Sequence, residues 1–393
     1  MAKIKRFGVL ERKYLMQVLD SEMLGDGRSG SVMVNSLERE FAKKMEVKYA
    51  IAVNSGMSGL HCAVAAADVG PGDEVICDPI VHFAASAVMY HNAVPVFADV
   101  KEDTFLIDPE SIEERISNYT KAIICTHLFG LPCDMDPIMK IAKEYGLTVI
   151  EDVAQAIGAR YKGRYTGSLG DMGVFSFQQS KHITSGDGGM VTTDSSELAD
   201  KVRVMRILGY KPEALSVLSE RWKEGRLGWN YRMTELQAAV LRGQLTRLDE
   251  IVELHVNVAK MYDEVLDGCS WLRPQKVENG VFHSYWQYAV LFDGTDKEYE
   301  RFKRVMKEEG CKASYGYTQR PATLIPLITE IRAYGKGCPI KCPHYKGKAK
   351  YGEGVVPVAE RILPRIVLLE MAWLDQEEAR RNADALERVI SKF

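Results

Sequence analysis

The 393-residue sequence has no apolar run of membrane-spanning length, and residues 1–7 lack the apolar core of a signal peptide. It also has little excess charge of one sign. The net charge of −3 gives no electrostatic reason to bind nucleic acid or an anionic membrane. The eight cysteines are scattered along the chain, as expected of reduced thiols. We therefore expect a cytoplasmic protein that acts on small molecules, without nucleic-acid or membrane partners.

Short apolar runs alternate with amphipathic or alanine-rich stretches between residues 36 and 250. This alternation predicts an α/β domain with a mainly parallel central sheet that is covered by helices on both faces. The runs interpreted as strands are Glu74–Cys77, Val94–Ala98, Ala122–Cys125, Thr148–Ile150, Val174–Phe177 and Met190–Thr192. Ligands of such sheets bind at the carboxyl ends of the strands, so a site is expected at that edge.

The length of the chain predicts two domains rather than one core. A long helical pattern runs over Thr234–Leu266, and an aromatic-rich strand is predicted at Ser284–Phe292. We predict a large α/β domain at residues 36–250 and a smaller α+β domain at 251–393. The N-terminal segment, residues 1–35, is expected to pack on the small domain.

Lys181 follows an apolar strand and precedes the turn Gly186-Asp187-Gly188-Gly189. A lysine at a strand exit can be partly desolvated, which lowers its pKa and lets the amine attack a carbonyl. Lysine forms a Schiff base with pyridoxal phosphate (PLP), and that chemistry needs an acid facing the ring nitrogen of the cofactor. Asp152, at the end of another apolar run, can be this acid. Either residue alone is ambiguous, since most lysines are solvated and Asp152 could instead cap a helix or bind a metal with Glu151.

Two further motifs are ambiguous when taken alone. The small-residue turn Asn54-Ser55-Gly56 precedes an alanine-rich helix, and a helix N-terminus presents backbone amides to an anion such as phosphate. Most turns of this kind are only helix caps. The residues Cys338, Cys342 and His344 suggest zinc, but a structural zinc site needs four ligands and no convincing fourth is present. We therefore expect no metal.

Taken together, five motifs resemble one family closely. They are Asn54-Ser55-Gly56, the run Glu151–Gly158, Ser176-Phe177-x-x-x-Lys181, Gly186-Asp187-Gly188-Gly189 and the run Gly228–Ala239. Their order and spacing are similar to those of the PLP-dependent sugar aminotransferases of the DegT/DnrJ/EryC1/StrS type, which have the fold-type I architecture. A set of motifs in one order is far more specific than any single motif.

The resemblance implies a role for each matching residue. Lys181 would carry the Schiff base and move a proton between the substrate carbon and the cofactor, while Asp152 pairs with the pyridine nitrogen. The other implied cofactor contacts are the backbone amides of Met57 and Ser58, the Ser176 hydroxyl, a ring-stacking Phe83, Gln155 near the phenolic oxygen, and Asn230. Asn230 would come from the neighbouring subunit, which implies a homodimer with shared active sites. For Phe83 a core position is the alternative.

The implied reaction is an amino transfer from glutamate or glutamine to a keto-sugar, often nucleotide-linked, or to a keto-cyclitol. The product would be an amino sugar or an aminocyclitol. Two alternatives remain open: a PLP-dependent sugar dehydratase, whose relatives replace the Schiff-base lysine by histidine, and a non-catalytic regulatory relative. Lys181 argues against the dehydratase, although His182 is adjacent. The chain departs from the family at Met57, where threonine is usual, and in a C-terminal part that lacks the common landmarks.

Overall fold

The computed structural model describes residues 4–25, 32–210 and 227–393, so parts of the predicted N-terminal segment lie outside the described residues. The helices are α1 Val9–Asp20, α2 Val32–Met45, α3 Gly56–Ala66, α4 His82–Tyr90, α5 Pro109–Arg115, α6 Met135–Tyr145, α7 Ser196–Arg206, α8 Glu235–Leu245, α9 Leu248–Leu266, α10 Asp296–Glu308, α11 Pro326–Thr329, α12 Pro357–Ile362 and α13 Gln376–Lys392. Among these helices none is both long enough and apolar enough to cross a membrane.

The strands form three sheets. They are β1 Tyr49–Val53, β2 Glu74–Cys77, β3 Val94–Phe97, β4 Thr120–Thr126, β5 Thr148–Asp152, β6 Arg160–Tyr161, β7 Arg164–Tyr165, β8 Met172–Ser176, β9 Gly189–Thr193, β10 Leu272–Pro274, β11 Val281–Phe282, β12 Tyr288–Phe292, β13 Ala313–Tyr315 and β14 Ile366–Leu369. The largest sheet has seven strands in the order β1-β9-β8-β5-β4-β2-β3. Strands β8, β5, β4, β2 and β3 are parallel, and β9 runs antiparallel to both of its neighbours. The predicted α/β class with a mainly parallel sheet is confirmed, and all six predicted strands belong to this sheet.

Side chains that alternate along the strands bury both faces of the central sheet. On one face, Ile51 and Val174 pack in a core with residues of α3 such as Leu60. On the other face, Phe175 packs with Phe41 of α2 and with residues of α8. Because successive side chains of a strand point to opposite faces, an apolar run on such a strand indicates a layer of helices on each side.

A smaller antiparallel sheet, in the order β10-β12-β14-β13, packs with α9, α10 and α13 in a separate core. Two predicted elements in the C-terminal half differ from the structure. The predicted strand at 284–292 begins only at Tyr288, because the N–H groups of Ser284 and Gln287 donate to carbonyls of a turn beside the central sheet. The predicted helix Thr234–Leu266 is interrupted between α8 and α9. Thr246 donates its hydroxyl to the Gly243 carbonyl (2.7 Å) at the interruption, a local bond that competes with helix continuation.

The N-terminal residues contact both halves of the chain. Helix α1 packs against α8, where Gln244 Nε2 donates to Glu11 Oε1 (2.6 Å) and to the Arg6 carbonyl (2.9 Å). Ile4 N–H donates to the Leu374 carbonyl (3.0 Å), and the Arg6 guanidinium lies over the Trp373 ring. Contact with the predicted small domain therefore comes from the residues before α1, whereas α1 itself packs on the predicted large domain. The domain boundaries stay a prediction.

Candidate active site

A cavity of about 390 Å³ lies at the carboxyl edge of the parallel strands. Asp152 is the last residue of β5 and Ser176 the last of β8, and the two strands are adjacent and parallel. Helix α3 begins at the same edge. Of the eight predicted cofactor contacts, six line this one cavity: Met57, Phe83, Asp152, Gln155, Ser176 and Lys181. The topology thus brings together residues that are up to 124 positions apart in the sequence.

Asp152 is buried at the wall of the cavity. Its Oδ1 accepts the N–H of Ala154 (3.0 Å). Burial raises the pKa of Asp152 above its ordinary value, and the Ala154 N–H and the charges on Lys181 and His127 oppose this shift. A buried carboxylate with few partners of its own is well suited to accept a hydrogen bond from a protonated ring nitrogen, because such a bond is stronger where water is excluded.

Glu151, the residue before Asp152, points to the opposite side of β5 and is fully buried. Its carboxylate accepts three backbone N–H groups from residues 167–170 and contacts His127 Nε2 (2.8 Å). Because neighbouring side chains of a strand diverge, Glu151 and Asp152 point to opposite sides of β5. Glu151 holds the loop that precedes β8, and this arrangement does not favour a metal ion shared by the two carboxylates.

The amine of Lys181 reaches the same cavity. Burial lowers the pKa of Lys181 to about 8, although the charge on Asp152 favours the protonated form. The Nζ atom lies 4.0 Å from the centroid of the Trp286 ring, and an Arg6 guanidinium N–H donates to the Lys181 carbonyl (2.6 Å). An amine with a lowered pKa is partly unprotonated near neutral pH, which is the state that attacks a carbonyl carbon.

The start of α3 and the end of β8 form a tight cradle. Ser55 caps the helix, and its Oγ accepts the N–H of Ser58 (3.1 Å). That amide would have to leave Ser55 to bind a phosphate, whereas the amides of Gly56 and Met57 have no partner among the described residues. A Cβ built on Gly56 would lie 2.8 Å from the Cβ of Ser176, so only glycine allows the helix to approach this closely. Free amides and a hydroxyl at a helix N-terminus suit a phosphate.

Gln155 closes another part of the wall. Its Oε1 accepts the N–H of Phe129 (2.8 Å), and its Nε2 donates to the hydroxyl of Tyr317 (3.0 Å). Burial raises the pKa of Tyr317 to about 12, so this hydroxyl stays protonated and keeps its own hydrogen to donate. Gln155 lies beside the cavity as the sequence predicts, but both ends of its amide have protein partners.

Phe83 and Asn230 lie at exposed positions. Phe83, in the first turn of α4, is 50% exposed and lines the cavity, which rules out the core alternative. Asn230 is exposed and does not line the cavity of its own chain, and neither does Ser58. The Asn230 carbonyl contacts Asn54 Nδ2 (3.4 Å), and Asn54 N–H donates to the Tyr231 carbonyl (2.8 Å). The backbone of this segment thus lies beside its own phosphate cradle.

Two aromatic residues of the C-terminal half also line the cavity, and the sequence did not mark them as cofactor contacts. Trp286 precedes β12, and Tyr317 follows β13. A tryptophan or tyrosine beside an apolar strand has the same pattern as a core residue. Only their packing against Lys181 and Gln155 distinguishes them from core aromatics.

The cysteine-containing loop packs away from this cavity. Cys342 is buried in a small cluster with Val94 and Tyr345, and its Sγ accepts a hydrogen bond from Asn92 Nδ2 (3.4 Å). His344 is exposed. In the part of the chain that the structure describes, no three His, Cys, Asp or Glu side chains are grouped so that they could hold a metal ion.

Comparison with known proteins gives a consistent result. The sequence profile of the DegT/DnrJ/EryC1/StrS aminotransferase family matches residues 7–387. GDP-perosamine synthase of Escherichia coli O157:H7 is 38% identical over 282 residues, which cover 72% of this chain and 74% of that enzyme. L-glutamine:2-deoxy-scyllo-inosose aminotransferase of Streptomyces fradiae is 35% identical over 391 residues, with 94% and 91% covered. The X-ray structure of an aminotransferase from Psychrobacter cryohalolentis aligns with a TM-score of 0.85 and 30% identity, covering 100% of this chain and 99% of that one.

Proposed function

This chain belongs to the DegT/DnrJ/EryC1/StrS aminotransferase family, whose members depend on PLP, and we propose that it makes an amino sugar or an aminocyclitol. Glutamate or glutamine would donate the amino group, and a keto-sugar, often nucleotide-linked, or a keto-cyclitol would accept it. The observation that carries this proposal is the convergence of Lys181 and Asp152 on one cavity, beside a cradle that suits a phosphate.

Each residue of the cavity would have its own role in amino transfer. PLP, when bound, supplies a ring that accepts the electron pair of a broken carbon–hydrogen bond. Asp152 would pair with the ring nitrogen, and the free amides of the α3 start with the Ser176 hydroxyl would hold the phosphate. Lys181 Nζ would hold and release the proton, since its pKa of about 8 lies close to neutral pH. Phe83 would cover one side of the ring.

The names of the relatives support the acceptor class. One is named for a nucleotide-linked perosamine, and the other for L-glutamine as donor and 2-deoxy-scyllo-inosose as acceptor. The second alignment extends over nearly the whole chain, including the C-terminal residues that contribute Trp286 and Tyr317 to the cavity. Both a keto-sugar and a keto-cyclitol therefore belong in the test.

The acceptor can be identified from the cofactor spectrum. The enzyme would be converted to its pyridoxamine form with glutamate or glutamine, freed of donor and mixed with keto-sugars, their nucleotide-linked forms and keto-cyclitols. We expect one class to restore the visible absorbance, because amino transfer to an acceptor regenerates the aldehyde. Mixtures with simple keto acids serve as the control. If neither glutamate nor glutamine removes the visible band, the proposed donors are wrong. If only the keto acids restore it, the proposed acceptor class is wrong.

We also propose a homodimer in which Asn230 reaches the cofactor site of the partner subunit. The exposed position of Asn230, outside the cavity of its own chain, supports this arrangement. Isologous dimers place the same surface on both subunits, so each chain would complete the other site.

Co-expression of two chains, each defective at limiting cofactor, tests the shared site. Asn230→Ala is expected to weaken cofactor binding about tenfold or more, the value of one hydrogen bond to a charged group. When Lys181→Ala and Asn230→Ala chains mix, half of the dimers are hybrids, and each hybrid would contain one intact site. We therefore expect about a quarter of the wild-type activity at limiting cofactor. If Asn230 acts within its own chain, no intact site forms and the mixture shows no gain over the separate variants.

The two alternatives receive less support from the structure. A dehydratase would need a histidine in place of Lys181, and the neighbouring His182 is buried with its Nε2 2.9 Å from the Ser284 carbonyl, so it does not line the cavity. A non-catalytic relative would have no need of Lys181 and Asp152 in one cavity. A colourless protein that does not take up PLP would favour that second alternative.

The cysteines support the prediction of a cytoplasmic location, which we retain as a proposal. All eight are free thiols, and Cys62, Cys77, Cys125, Cys133 and Cys311 are among those that are buried. Disulfides persist mainly in oxidising compartments, so free thiols are typical of proteins from a reducing one.

A further inference from the structure

Trp286 makes two contacts with the Ser180–Lys181 segment. The face of its ring lies 4.0 Å from Lys181 Nζ, measured to the ring centroid. Its indole Nε1–H donates to the Ser180 carbonyl (2.9 Å). One side chain therefore holds both the backbone beside Lys181 and the amine at the end of the lysine side chain. Among the described residues, no other aromatic ring lies against this amine.

The backbone around Trp286 is anchored to a turn beside the central sheet. Ser284 N–H donates to the Gly130 carbonyl (3.0 Å), and Gln287 N–H donates to the Phe129 carbonyl (3.2 Å). A Cβ built on Gly130 would lie 2.6 Å from Tyr285 N, so the two segments are in close contact. Tyr285 itself has φ +50, a left-handed conformation that is costly for a tyrosine and is held by this packing. The backbone on either side of Trp286 is therefore held by the turn that follows β4, and the bond from the indole Nε1–H to Ser180 holds the ring.

The groups that face Lys181 favour opposite protonation states. Burial opposes a positive charge on the amine, whereas the Asp152 carboxylate favours it. His182, next in the chain, is neutral at pH 7, since burial lowers its pKa to about 4. The face of an indole ring is negative, so Trp286 adds to the attraction for the protonated amine.

We propose that Trp286 is a positioning residue that holds the Lys181 ammonium toward the cavity whenever this amine is not bonded to the cofactor. The inference rests on the proposed function, which requires Lys181 to be free during part of the cycle. A lysine that shuttles a proton must return to the same place at each turnover. A long flexible side chain loses entropy when it is held there, and the ring contact offsets that loss.

Replacement of the ring tests this role without relying on turnover. The full-length enzyme in its pyridoxamine form would be labelled with carbon-13 at the ε positions of lysine, and Lys181 assigned as the signal missing in Lys181→Met. In Trp286→Leu we expect the pKa of Lys181 to fall by about one unit, the size expected of a buried cation–π contact. Trp271→Phe is the matched control, because Trp271 packs against Phe393 in the C-terminal core. It should leave the titration unchanged.

Fluorinated tryptophan provides a second measurement that does not depend on how well Trp286→Leu folds. Fluorine withdraws electrons from the ring and weakens its attraction for a cation while the shape is nearly kept. The pKa of Lys181 should fall stepwise as more fluorine is incorporated. An unchanged titration in the fluorinated proteins would overturn the inference, even if the enzyme still binds PLP and transfers amino groups. If no lysine-bound cofactor forms in the wild-type enzyme, the proposed function fails instead.

Discussion

Lys181→Ala is expected to lose the visible band of the lysine-bound cofactor and to slow amino transfer by at least about 10⁴-fold, since the substitution removes both the nucleophilic amine and the proton carrier. The protein should still fold and bind PLP without a covalent bond. The amine lies at the end of a side chain whose backbone is held by Arg6 and by a turn bond to Gln178, and neither contact needs the amine. Absorbance spectra and single-turnover kinetics measure the two effects.

Lys201→Ala is the matched control for this substitution. Lys201 also belongs to the large α/β part of the chain, but it forms ion pairs with Asp68 (2.6 Å) and Glu197 (3.0 Å) at the surface. Such pairs contribute about 0–1 kcal/mol each to stability, so this variant should keep the band and the rate. Turnover at the wild-type rate in Lys181→Ala would refute the role of this amine and the chemistry built on it.

Asp152→Asn is expected to reduce the rate of amino transfer by about 10²- to 10³-fold, the usual result of removing one group that stabilises charge developing in the transition state. Asparagine keeps the size of the side chain and can still accept the Ala154 N–H. It cannot keep a ring nitrogen protonated, because it carries no negative charge. The loss should therefore appear in the chemical step rather than in binding of the phosphate, and pre-steady-state kinetics with the donor amino acid would separate the two.

Stability measurements on the cofactor-free protein distinguish this effect from misfolding. Burial raises the pKa of Asp152 in the folded state, so its ionised form costs stability as the pH rises through that pKa. Removing the charge should leave the melting temperature at pH 7 unchanged or higher. Asp171→Asn is the control, since Asp171 Oδ2 accepts the Val149 N–H (2.8 Å) at the opposite end of the sheet. A lowered melting temperature in Asp152→Asn with a normal rate would contradict the assigned role.

The central sheet was predictable because the residue composition of each strand by itself indicates a buried strand. Runs such as Val94–Phe97 are apolar throughout, as expected of parallel strands that are buried on both faces. The strand Tyr49–Val53 was missed, although its burial pattern is similar. The break between α8 and α9 was missed too, because the apolar spacing continues across it while the Thr246 hydroxyl bonds to the backbone.

The candidate site was predictable where a residue stands at the end of a strand. Asp152 and Ser176 close β5 and β8, and the parallel direction of these strands puts both at one edge. The sequence could not predict whether the Ser58 N–H is free or bonded to the Ser55 hydroxyl, since this depends on the rotamer of Ser55. The opposite directions of Glu151 and Asp152 follow from strand alternation. Alternation alone does not say which of the two faces the cavity, and the choice of Asp152 rested on the family resemblance.

The sequence by itself determined the reactive groups, their order along the chain and the α/β class, because each of these follows from local spacing and residue type. Only the tertiary structure decided what surrounds the amine. Trp286 meets Ser180 across 106 residues, and Tyr317 meets Gln155 across 162. Contacts of that range depend on how two cores pack against each other, and a periodic pattern within one helix or strand contains no information about a partner so far away.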